Sequence, residues 1–145
     1  SNEIFIPKQK TTGTLANMLI DGFIPTIEVI EGADSLAFTF DTGAKATMLY
    51  SSYYLRNKAK IESKYEAEEI EFGGAGGTIK VKGFRLEDLL LKIGNSKLKL
   101  SNVRVIAENI KDHDKGYFGN LGQDYMSEFS EMILNFEDMY VDFKK

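Results

Sequence analysis

The chain contains no cysteine, no tryptophan, one histidine and two prolines among its 145 residues. Without cysteine there is neither a disulfide nor a thiolate nucleophile, and a lone His113 argues against a histidine-bearing catalytic triad or a multi-histidine zinc site, so no metal and no cofactor are expected. The chain also lacks basic excess: 18 Lys and Arg against 22 Asp and Glu give a net charge of -4. A chain that binds phosphates gathers cations on one face, so nucleic acid is not an expected partner. No apolar run approaches the roughly 20 residues needed to span a bilayer, and no membrane insertion is expected. Missing cysteine leaves the compartment open. The opening Ser1-Asn2, without Met, reads as a cloning scar. It leaves room for an upstream signal, and with it export to periplasm or cell surface, or for a further lobe.

What is present is an ordinary globular composition, 43% hydrophobic and 28% charged, in a length that suits one core. Residues 1–22 read as an N-terminal edge strand and tether, with apolar Ile4-Phe5-Ile6 ahead of a polar stretch from Lys8 to Thr14. Residues 23–145 read as the domain. Two β-branched and aromatic runs, Phe23 to Ile30 and Ser35 to Phe40, flank Glu31-Gly32-Ala33-Asp34, the composition of a hairpin turn. Ser51 to Lys60 opens with two serines that could cap a helix. Glu66 to Phe72 and Thr78 to Phe84 flank Gly73-Gly74-Ala75-Gly76-Gly77, two strands meeting at a glycine tip. Strands are expected over Leu86 to Ile93, Lys97 to Leu100 and Val103 to Ala107, a short helix over Gln123 to Phe129, and a closing hairpin of Met132 to Phe136 with Met139 to Phe143. Many short strands with one or two short helices predict an all-β, closed β-barrel unit.

The candidate chemistry is at Asp41. It follows directly on an apolar strand and precedes Thr42, Gly43 and Ala44. A carboxylate held at a strand end, with glycine two residues on, is fixed in place while backbone N–H groups can reach its oxygens. Thr42 offers a hydroxyl to lock the turn across a nearby backbone, and Ala44 keeps the surroundings small.

Three separated segments then resemble the retropepsin-like aspartic proteases over about residues 23 to 143. The first is Phe38-Thr39-Phe40-Asp41-Thr42-Gly43-Ala44 followed by Thr47-Met48-Leu49; the second is the glycine tip at 73–77; the third is Leu121-Gly122-Gln123-Asp124. The resemblance implies a pepsin- or retropepsin-like fold with Asp41, Thr42 and Gly43 as catalytic turn. It implies that Ala44 and the flap residues Gly73, Gly74, Ala75, Gly76 and Gly77 contact a polypeptide substrate. Viral relatives often hold an acidic residue just after the turn and an Arg after the late glycine. Here Lys45 or Ala46 and Gln123 stand there, which places the chain nearer the cellular and bacterial branch. Asn120 stands where a hydrophobic residue is usual.

The implied activity is that of an aspartic endopeptidase, in which two aspartates share one proton and activate water. No second Asp-Thr-Gly or Asp-Ser-Gly occurs, so one chain supplies half a site. A homodimer, or a second lobe missing from this sequence, would complete it. The alternative is a catalytically inactive relative that keeps the fold as a peptide-binding or dimerisation module.

Other motifs favour plain readings. The 73–77 glycines lack the Lys-Ser/Thr and following helix of a phosphate cradle. Asp112-x-Asp114-x-Gly116 lacks the glycine and glutamate of a calcium loop, His113 within it reads as an exposed loop residue, and Tyr50, Tyr53 and Tyr54 read as packing residues.

Overall fold

The computed structural model describes residues 16–21, 24–74, 76–110 and 116–145. The apolar terminus at Ile4-Phe5-Ile6, the polar stretch to Thr14, Phe23, Ala75 and the loop around Asp112, His113 and Asp114 lie outside them.

Strand β1 is Met18–Asp21, β2 is Ile24–Glu31 and β3 is Asp34–Phe40. Alternation of apolar residues puts Ile27, Val29, Leu36 and Phe38 on one buried side, none more than 1% exposed. The β2–β3 turn closes at Gly32, whose φ of 59° suits a residue without Cβ. The other edge of β2 is shared: β1 pairs with its first half, and β7 (Leu89–Ile93) meets it at Ile30↔Lys92.

Beyond β3 the sheet is built from distant segments. Strand β4 is only Met48–Leu49, β5 is Glu68–Gly74, β6 Gly77–Leu86, β8 Ser96–Leu100, β9 Val103–Ile106 and β10 Gly119–Leu121. Their order is β5-β6-β9-β4-β10-β3-β2-β7-β8, a ten-stranded sheet with β1 on β2 that curls as a half-barrel. Strand β10 lies parallel to β3 and antiparallel to β4, wedged between them. The all-β expectation holds, and most strands lie within a few residues of their expected places.

The helices differ more. The expected Ser51 to Lys60 helix is two, α1 Ser51–Arg56 and α2 Lys58–Lys64, broken at Asn57. The Asn57 side chain donates to the Tyr53 carbonyl at 3.0 Å, competing with helical continuation. Neither serine caps α1: its N-cap is Tyr50 without a side-chain bond, and Ser52 Oγ donates instead to the Tyr117 carbonyl at 2.6 Å. Helix α3 is Gln123–Met126, shorter than expected because residues 127–130 turn into the final hairpin.

That hairpin, β11 Glu131–Asn135 with β12 Tyr140–Lys144, is a separate two-stranded sheet. Asn17 ties it to the main sheet, exchanging 2.9 Å bonds with the Val141 carbonyl and N–H. One apolar cluster runs from Met18 through Leu91, Leu121 and Tyr125 to Phe143. Each fully buried large side chain in it stabilises the fold by about 1.5–3 kcal/mol.

Candidate active site

Asp41 is the first residue past β3 and it is exposed, as are Thr42 and Gly43. Its backbone N–H continues the β3–β10 ladder to the Leu121 carbonyl at 3.2 Å, which fixes where the side chain starts. Asp41 Oδ1 accepts the Gly43 N–H at 2.9 Å, and a Cβ at Gly43 would press on that oxygen at 3.3 Å. Asp41 Oδ2 is approached by Asn120 Nδ2 at 3.5 Å, too long for a strong bond, so this oxygen stays open to a ligand. Among the described residues no carboxyl group is a hydrogen-bond partner of Asp41.

The turn is braced from below by residues that sequence reasoning placed nearby without assigning them this role. Asp124 Oδ1 accepts from the Thr47 N–H (3.0 Å), the Thr47 hydroxyl (2.7 Å) and the Tyr125 N–H (2.9 Å). The Thr47 hydroxyl in turn accepts the buried Gly122 N–H at 3.1 Å. Backbone bonds from Gln123 to Ala44 (2.8 Å) and from Asp124 to Lys45 (3.1 Å) join the turn to the start of α3. Gly122 is required there, since a Cβ would lie 2.6 Å from the Ala46 carbonyl carbon.

Gln123, found in place of the arginine of viral relatives, bridges through its neutral amide: Nε2 donates to the Thr42 carbonyl at 2.8 Å. The expected lock by the Thr42 hydroxyl does not form within the described residues. Thr42 is exposed, and the bracing comes from Thr47, Gln123 and Asp124 instead. Asn120, a departure from the resembled pattern, has a defined place. Thr39 donates its hydroxyl to Asn120 Oδ1, which turns Nδ2 towards Asp41.

The glycine segment forms the expected hairpin tip, with Gly73↔Thr78 and Gly74↔Gly77 in register. Gly73 has φ 147° and Gly77 φ 110°, values that L side chains rarely adopt. A cavity of about 270 Å³ separates this hairpin from the Asp41 turn, lined by Ala44, Lys45, Met48 and Asn120 on one side and Glu71, Phe72, Gly73 and Arg104 on the other. Ala44 and Gly73 therefore face one space. Tyr50 lines it while packing against the cluster of Met48, Ile70, Val81 and Ile106, and Tyr53 and Tyr54 are buried, so all three pack as expected.

No protein-family profile and no curated protein matches the chain. Among solved structures it is similar to the EIAV protease in complex with an inhibitor, at 21% identity and a TM-score of 0.46, over 72% of this chain and 86% of that one. It is also similar to a retropepsin-like aspartic protease from Rickettsia conorii, at 16% identity and a TM-score of 0.46, over 77% of this chain and 76% of that one.

Proposed function

We propose that the protein is an aspartic endopeptidase in which Asp41 is one of two catalytic carboxylates, the second being Asp41 of another copy. The reading rests on one observation above the rest: an exposed Asp41 whose Oδ1 is pinned by the Gly43 N–H while Oδ2 remains open, on a turn braced by Thr47 and Asp124.

Two such carboxylates close together cannot both ionise, so they hold one proton between them. The ionised member takes a proton from water as its oxygen attacks the carbonyl carbon of the peptide, and the protonated member donates to the carbonyl oxygen. Collapse of the resulting diol breaks the C–N bond, with the proton passing to the leaving amine. Thr42 and Gly43 shape this turn, and their exposure leaves its outer face free to meet the equivalent turn across a two-fold axis. The substrate lies as an extended segment between the turn and the 73–77 hairpin, which serves as a flap that excludes water.

Asp41→Asn tests this. It should lower cleavage of an unstructured protein at mildly acidic pH by at least about a thousandfold, while urea unfolding shifts by less than about 1 kcal/mol. Cleavage that persists at the original rate removes Asp41 from the chemistry. A sedimentation experiment showing only monomer, with no cleavage, favours a non-catalytic peptide-binding module.

A further inference from the structure

Strand register places Thr26, Thr39, Asn120, Met48, Arg104 and Arg85 abreast across six strands, β2, β3, β10, β4, β9 and β6. Adjacent strands are about 4.8 Å apart, so Arg104 stands about 10 Å along this row from Asn120, which adjoins Asp41. Along an extended peptide, at about 3.4 Å per residue, that is two or three residues from the reacting bond.

Arg104 is half-buried on the wall of the 270 Å³ cavity. It is opposite Arg85, and like charges directly opposite on a sheet repel. Arg85 has relief from Glu68, with Nε 2.7 Å from Oε1. Arg104 has none of that kind. Its Nη1 donates to the backbone carbonyl of Glu71 at 3.2 Å, and among the described residues no carboxylate lies within ion-pair distance of it. Burial, and then Arg85, hold its guanidinium below the ordinary arginine value, although it stays charged.

The other charged groups facing the space are Lys45, also without an ion pair among the described residues, and the exposed carboxylate of Glu71. Asp124 favours the charged form of Arg104 from beneath, but its Oδ1 is already held by three donors. Two cations thus face one lining carboxylate. Around them Ala44, Met48 and Phe72 offer apolar wall to the methylenes of a ligand.

We propose that this cavity receives an acidic side chain of the polypeptide substrate, Asp or Glu, whose carboxylate pairs with Arg104, so that the protein selects segments acidic within three residues of the cut bond. The inference rests on the endopeptidase reading and gives it a substrate class. Lys45, which is exposed, adds a second cation to the lining.

The test is a set of peptides sharing one cleavable core and differing only in Glu, Gln or Lys at each position within three residues of the bond. At one position wild type should cleave the Glu peptide roughly tenfold faster than the Gln peptide in kcat/KM, with Lys slower still. The ratio of Glu to Gln should fall close to one in Arg104→Met and be partly kept in Arg104→Lys, each variant first shown to be folded by circular dichroism. Cleavage with no acidic preference anywhere, or a preference unchanged in Arg104→Met, overturns the inference and leaves the endopeptidase standing. If no peptide is cut, the endopeptidase reading fails instead. Fluorescence anisotropy with uncleavable Glu and Gln peptides then decides the site: tighter Glu binding lost in Arg104→Met supports it, and equal binding overturns it.

Discussion

Asp124 shows how much one carboxylate can brace. Its Oδ1 satisfies three donors, two of them on Thr47, a residue 1% exposed. Asp124→Ala strands those donors and should cost on the order of 3 kcal/mol in urea unfolding, whereas Asp124→Asn keeps an oxygen acceptor and should cost about 1 kcal/mol. Equal losses in the two variants would show that charge, and not the acceptor, does the bracing. At this scale Asp41 was legible, because an acid at the end of an apolar strand with glycine two positions on is a local pattern. The bracing was only half legible. Leu121-Gly122-Gln123-Asp124 stands out as a string, but nothing local says that Asp124 reaches Thr47, 77 residues away. Asn120 reads as a misfit until Thr39, on the neighbouring strand, is seen to orient it.

Among the elements, the β5–β6 hairpin separates glycines that are needed from glycines that are not. At Gly73 the backbone has φ 147° and an added Cβ would lie 2.3 Å from the Gly77 carbonyl oxygen, while at Gly76 nothing lies within 4 Å. Gly73→Ala should therefore cost about 2 kcal/mol or more and disturb the tip, whereas Gly76→Ala should stay within about 0.5 kcal/mol of wild type. Thermal unfolding of the two variants side by side checks this, and a neutral Gly73→Ala would mean that the hairpin tip is not built this way. The hairpins were legible because alternation and turn residues lie within one stretch of sequence. Strands β4 and β10 were not, having two and three residues and no period to read; only their neighbours make them strands. The break at Asn57 escaped notice for a related reason, since Asn is tolerated inside helices and its back-bond to Tyr53 depends on the fold around it.

For the molecule as a whole, the buried tyrosines set a limit at high pH. Burial pushes Tyr125 up to about 12, and burial with the bond to Asp142 pushes Tyr140 up to about 12. Tyr53 is raised as well, first by burial and then by Glu31. An unfolded tyrosine titrates near 10, so below about pH 10 this contribution is fully present. Between about pH 10 and 12 the unfolded chain releases protons that the native one retains, and stability falls. The expected loss is on the order of 2 kcal/mol for Tyr125, read from denaturant unfolding at about pH 9 and about pH 11.5. Tyr125→Phe should remove part of that slope, and parallel curves for the two proteins would contradict the assignment. The wedge of β10 between β3 and β4 has a different consequence, one of timing. Thr39 is bonded to Gly119, 80 residues further along, so while the chain is leaving the ribosome Asp41 has β2 and β3 before it but neither β10 beside it nor Asp124 beneath its turn. The turn that carries Asp41 is thereby assembled only after the segment from Gly119 to Asp124 has been translated.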